Sequence, residues 1–230
     1  MSKIENKIKF YSGWFMLTIF AIVLAIFFSP VFDGKNGLDY LDNLYNSISK
    51  GSAYYIDKVK PDADKFTGKA VAIVLEFNDK GHADQTATLF KKAGAQTTVK
   101  ENTLEVSGDL GKILSSTLED ADRMYYNDGK AISEKYGYDE RRVLYNWWQA
   151  LKKMDVGLKK QKLFKEAEVV TLIMKKAVET SYNYYEIEPQ KISDKIWIVI
   201  ISLFFYVIYT VWYGFAYMYI FEGWGLSLDH

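Results

Sequence analysis

The chain has 230 residues, with 29 Lys and Arg balancing 29 Asp and Glu, a hydrophobic content of 49% and an aromatic content of 17%. A net charge of zero gives no general attraction to nucleic acid. The absence of cysteine excludes disulfides, thiolate metal sites and a cysteine nucleophile, and only His82 and His230 can supply imidazole.

A mean hydropathy of −0.13 averages two unlike kinds of sequence. Apolar runs lie near both ends, and between them is a polar middle of about 160 residues, the size of one ordinary domain. Residues 1–32 read as an N-terminal tail and a first transmembrane helix. Lys3, Lys7 and Lys9 precede an uncharged run from Phe10 to Phe32. At about 23 residues that run exceeds the apolar centre of a signal peptide. No small-x-small cleavage site follows Phe27-Phe28-Ser29-Pro30, so an uncleaved anchor is expected. Tyr11 and Trp14 sit where an interfacial aromatic belt belongs. Thr18, Ala21, Ala25 and Ser29 recur at helical spacing as a small-residue groove, the kind of surface that lets helices approach closely in lipid.

Residues 33–68 read as a juxtamembrane helix and a linker. Leu38, Leu41, Tyr45 and Ile48 predict an amphipathic helix from Gly37 to Ser49, capped by Asp33 or Asn36. Gly51 to Gly68, with Pro61 inside it, reads as a connecting loop. Residues 69–128 form a βαββα subdomain. Ala70–Phe77 is a continuous apolar run, expected as a strand covered on both faces. A helix over Ala83–Ala93 follows, then short strands at 97–100 and 103–107 around Glu101-Asn102, then a helix capped by Asp109. This order predicts a small mixed sheet with helices on one face, part of a ferredoxin-like unit lacking its last strand.

Residues 129–190 read as a helical subdomain. A loop is expected over 127–138, then a helix from Asp139 to Val156 broken by Gly157, then a longer helix from Lys159 to Tyr185. The seam of the latter, from Leu163 through Ala167, Val170, Met174, Ala177 and Ser181 to Tyr184, fits a helical bundle. Lys152, Lys153, Lys159, Lys160, Lys162 and Lys165 cluster around the intervening turn, as candidates for contact with anionic lipid or an acidic partner.

Residues 191–230 carry the second transmembrane helix and a short tail. Ile196–Phe221 is uncharged, and at about 1.5 Å per residue it is long enough to cross a hydrocarbon core. Ser202, Tyr206, Tyr209, Thr210, Tyr213 and Tyr217 share one face of it. A hydroxyl without a partner is costly in hydrocarbon, so this stripe is expected to face protein. The tyrosine ridge and the small-residue groove of the first helix then form an intramembrane interface, within one chain or between copies. Basic residues beside the two spans tie in the topology count. Giving the first span precedence puts both termini in the cytoplasm and residues 33–190 outside the cell (inner) membrane.

No nucleophile elbow, Walker loop, dinucleotide fingerprint or zinc-helix motif occurs. His82 beside Asp79 and Asp84 reads as a solvated turn histidine, and Asp229-His230 as a chance metal contact in a short tail. No catalytic, metal or cofactor-binding residue is assigned. The expectation is an α+β membrane protein with two transmembrane helices flanking its domain. It would be a non-catalytic accessory or assembly subunit, whose partners are the bilayer and other membrane subunits or copies of itself, with no nucleic acid. The alternatives are an extracytoplasmic ligand-binding or sensor module acting through a partner, and a quinone- or lipid-binding subunit.

Overall fold

A computed structural model describes residues 4–226. Lys3 of the topology count and the Asp229-His230 pair lie outside the described residues. The fold is mostly helical with one three-stranded sheet, and it divides into two units. One unit is Met1–Ser49 with Pro189–His230, and the other is Lys50–Glu188.

Helix α1 (Lys7–Phe27) begins at Asn6, whose side chain accepts from the Lys9 N–H at 3.1 Å. Helix α2 (Gly37–Ser52) begins beyond Asn36, whose Oδ1 accepts from the Asp39 N–H at 2.8 Å. The stretch expected as a loop contains helix α3 (Ile56–Asp64), with Pro61 inside it. Ile56, Val59 and Ala63 recur at helical spacing and are all buried. Their burial outweighs the single backbone bond that a proline forgoes.

Strand β1 (Ala70–Glu76), helix α4 (Lys80–Lys92), strands β2 (Gln96–Lys100) and β3 (Thr103–Asp109) and helix α5 (Leu110–Tyr125) follow in the expected order. The sheet is antiparallel throughout, in the order β1-β3-β2, and is not mixed. It corrects a second expectation as well. Val71, Ile73 and Leu75 are buried, while Ala70, Ala72, Val74 and Glu76 alternate with them on an exposed face. The apolar run is a half-covered strand that carries alanine and valine on its open side. Asp79 caps α4 through the His82 N–H at 2.8 Å, and Asp109 caps α5 through the Lys112 N–H at 3.2 Å. Asp109 Oδ2 also accepts from the Gly68 N–H at 2.8 Å. Burial pushes the Asp109 carboxyl up, but the N–H groups of Gly68, Lys112 and Gly111 outweigh it, and the pKa lies below the usual value.

The expected loop at 127–138 holds helix α6 (Gly129–Tyr136), which buries Ile132 and Tyr136. Helix α7 (Glu140–Lys160) runs straight through Gly157. A Cβ on Gly157 would lie 2.7 Å from the Ile73 Cγ2, so this glycine lets the helix approach β1 and does not break it. The chain turns at Lys162 and continues as helix α8 (Phe164–Ile173), a π-helical segment over Met174–Val178 and helix α9 (Glu179–Tyr184). The seam residues Ala167, Val170, Met174, Ala177 and Ser181 are buried within this unit, as a bundle requires.

At its centre Asp120 is fully buried. Its carboxylate accepts from the Lys135 Nζ at 2.7 Å, the Tyr136 hydroxyl at 2.5 Å and the Trp147 Nε1 at 2.8 Å. Three donors around one charge are what a buried carboxylate needs. Burial and the neighbouring Asp120 push the Tyr136 hydroxyl far above its usual pKa, which keeps it a proton donor.

A second buried charge closes the unit where the chain comes in and leaves. Lys50 is 1% exposed, and its Nζ donates to the Asn127 Oδ1 at 3.0 Å and the Ile187 carbonyl at 2.6 Å. Asn127 Nδ2 donates to the Glu188 carboxylate at 2.9 Å, and its Oδ1 accepts from the Glu186 N–H at 2.9 Å. The Tyr125 hydroxyl donates to the Lys50 carbonyl. Burial lowers the Lys50 pKa, and Glu188 partly opposes that.

Helix α10 (Ile192–Gly223) returns to the first unit and packs antiparallel along α1. The contact repeats about every seven residues, the period of two helices sharing a long seam. Phe27 stacks with Phe205 (ring centroids 5.8 Å apart), Phe20 stacks with Tyr209 (4.1 Å), and Phe10 meets Trp224 (5.7 Å). Glycines close one end of the seam. A Cβ on Gly13 would stand 2.7 Å from the Ala216 carbonyl oxygen, and one on Gly223 would stand 2.6 Å from Phe10 backbone. At the same end Lys9 pairs with Glu222 at 2.6 Å, and the Gly223 carbonyl accepts from the N–H groups of Glu5 and Asn6.

Candidate interaction surfaces

The helix pair displays apolar surface on its outside. Trp197, Leu203, Phe204, Ile208, Val211 and Phe215 on α10 are all exposed. Both α1 and α10 are long and apolar enough to cross a membrane, and almost none of either apolar stretch is buried within the chain.

The sequence-derived stripe and groove do not meet each other within this chain. Thr18, Ala21 and Ala25 lie on the exposed side of α1, while the α1 face toward α10 carries Gly13, Phe20 and Phe27. Thr18 and Ser29 donate to carbonyls one turn back on α1, at 2.9 and 2.7 Å. The tyrosine stripe divides. Tyr209 stacks on Phe20 with its hydroxyl buried and unpartnered, and Trp212 Nε1 is likewise buried without a partner. Ser202 bonds the Tyr45 hydroxyl of α2 at 2.7 Å. Thr210 donates to the Tyr206 carbonyl at 2.7 Å. Tyr213 and Tyr217 rest ring against ring at 4.6 Å, both exposed. Tyr206 is 68% exposed, and its hydroxyl has no partner among the described residues.

In the other unit the six lysines do not form one patch. Lys159 pairs with Asp155 at 2.8 Å, and Lys165 lines a separate hollow with Asp62, Lys65 and Glu168. Lys162 occupies the turn into α8 with positive φ. Lys152, Lys153 and Lys160 instead line a cavity of about 690 Å³ between α7 and β1, opposite Ala72, Val74 and Glu76. None of the three lysines makes an ion pair among the described residues. Lys152 lies over the Trp148 ring at 4.7 Å and Lys153 over the Phe77 ring at 5.4 Å. A second hollow, of about 350 Å³, is lined by Tyr145, Trp148, Tyr182 and Glu179 beside the π-helical segment.

His82 is not the solvated residue its polar neighbours imply. It is 8% exposed, packed between the Phe77 and Tyr145 rings, and its Nε2 has no hydrogen-bond partner among the described residues. Burial, reinforced by Arg142 and Lys153 against Asp79, lowers its pKa and holds it neutral. Among the described residues no three His, Asp or Glu side chains gather as metal ligands. Comparison with family models, curated proteins and solved structures finds no match to this chain.

The sequence reading groups six lysines and misses the strand edge that Lys152, Lys153 and Lys160 face. The alternation of Ala70, Ala72, Val74 and Glu76 with buried neighbours was the available signal, masked because alanine and valine are apolar on both faces.

Proposed function

We propose that the chain is a non-catalytic accessory or assembly subunit of a larger membrane complex, held by α1 and α10. Both termini would be cytoplasmic, with residues 33–190 on the outer side of the cell (inner) membrane. The observation that carries this reading is Tyr206, exposed near the middle of an apolar helix with its hydroxyl unpartnered. In hydrocarbon such a hydroxyl is costly unless another protein group meets it. Thr18, Ala21 and Ala25 leave a second outward face where a neighbouring helix can come close. The groove-and-ridge pairing then operates between chains.

The test is purification from native membranes in mild detergent, with quantification of every protein that co-purifies. The unaltered chain should carry a stoichiometric set of membrane partners or further copies of itself. Tyr206→Phe combined with Ala21→Leu and Ala25→Leu should strip them away while the outer unit keeps its circular dichroism. A chain that extracts alone, or an assembly indifferent to these changes, rules the reading out.

A further inference from the structure

We propose that the open edge of β1 takes up an extended, acidic segment of a partner protein as an added strand. The proposal rests on the reading of the chain as an assembly subunit and names the chemistry of what its outer unit holds. Three features converge on this edge.

The first is hydrogen bonding. Phe77 donates to the Asn102 carbonyl at 2.8 Å, and Leu110 donates to the Lys69 carbonyl at 2.8 Å. With the register of β1 on β3, these bonds assign the odd-numbered residues of β1 to the ladder. The even-numbered residues Ala72, Val74 and Glu76 therefore turn their N–H and C=O groups outward. Among the described residues, the side chain that reaches them is Gln161, whose Nε2 donates to the Ala72 carbonyl at 2.9 Å. An amide already sits where a strand's N–H would.

The second is topology. The chain order β1-α4-β2-β3-α5 with sheet order β1-β3-β2 leaves the position beside β1 for a further strand. Here α6 and α7 follow α5, and the position is an open cavity of about 690 Å³.

The third is charge. Lys152, Lys153 and Lys160 face the cavity without ion pairs, against Glu76 as the single acid in its lining. Strand addition supplies affinity through the main chain and specificity through alternate side chains. Carboxylates on one face of the added strand would meet the lysines, and apolar residues on the other would meet Val74, which is 59% exposed. A second copy of this chain, added edge to edge, would bring two lysine sets together and is disfavoured by that repulsion.

The experiment uses the full chain in detergent and a fluorescent peptide of about eight residues alternating Glu and Val, a typical strand length. Binding is read by anisotropy, and amide exchange is followed at Val74 and Glu76. The expected result is saturable binding that weakens with salt, slowed exchange at both amides, and no binding of the matching Lys-Val peptide. Replacing Lys152, Lys153 and Lys160 by Gln should weaken binding about tenfold or more. Val74→Pro removes an outward N–H without touching the ladder, and should abolish binding with β3 pairing intact. If Val74→Pro fails to fold, the lysine variant and the exchange data still decide. Binding that leaves both amides unprotected overturns the proposal, as does no binding at all. So does preference for anionic lipid vesicles over the peptide. A chain that binds the peptide but co-purifies with nothing refutes the assembly reading alone.

Discussion

In Lys50–Glu188, apolar side chains point inward, and the buried charges of Asp120 and Lys50 are met by hydrogen-bonding partners. Along α1 and α10 the arrangement is inverted. Large apolar side chains point outward, and small residues and stacked rings lie between. Both helices are long and apolar enough to cross a membrane, which would give the two regions different surroundings. Where water is the solvent, an aspartate inside must be bonded from every side. Where the surroundings are apolar, packing of glycine against backbone replaces the hydrophobic drive to collapse.

The largest test of this contrast is Asp120→Ala. It leaves the Lys135, Tyr136 and Trp147 donors facing an empty site, and should cost about 3–5 kcal/mol in urea unfolding of the Lys50–Glu188 unit. The seam of α1 and α10 should not respond. Because the chain lacks cysteine, a disulfide between Phe20→Cys and Tyr209→Cys reports that seam cleanly. A loss below about 1 kcal/mol would mean that the network is not what holds the unit together.

Gly13→Leu is the reciprocal change, with an expected cost of about 1–3 kcal/mol from overpacking against Ala216 and Ile220. The engineered disulfide should form more slowly while the urea midpoint of the Lys50–Glu188 unit stays fixed. Movement of both readouts would show that the two regions are not independent.

The smallest expected effect is on pH. His82 titrates below its usual 6.5 in the folded unit, so the unfolded chain binds the proton first on acidification. The stability that neutral His82 contributes is complete above about pH 6.5 and declines as the pH falls through the window below it. Asp109, whose pKa is lowered from 3.8, acts in the same direction at lower pH. His82→Gln should flatten the profile in the window just below neutrality and leave the acid limb unchanged. An unaltered slope in the variant would assign the dependence elsewhere.

Features set by local chemistry were legible before the structure. The apolar helices, the caps at Asn36 and Asp109, the strand order along the chain and the buried seam of α8 and α9 all follow from neighbours in sequence. What escaped was set by distant residues. Pro61 concealed α3, whose burial is decided by what packs on it, and Asp128-Gly129 concealed α6. Gly157 looked like a stop because the demand for a missing side chain comes from Ile73, far away along the chain. His82 looked wet because Phe77 and Tyr145 reach it from other elements. The tyrosines of the α10 stripe do not share one environment. Packing against α1 uses Tyr209 and Tyr213, while Tyr206 is exposed.

The knot of Lys50, Asn127 and Ile187 has a bearing on how this chain can be taken apart and rebuilt. It brings the first and last residues of the Lys50–Glu188 unit side by side. An excised 50–188 segment would carry its own closure, with free ends lying next to each other. Such a segment is transplantable: it can be set into a surface turn of another protein without stretching its host. A short glycine bridge between residues 49 and 189 can in turn stand in for it between α2 and α10.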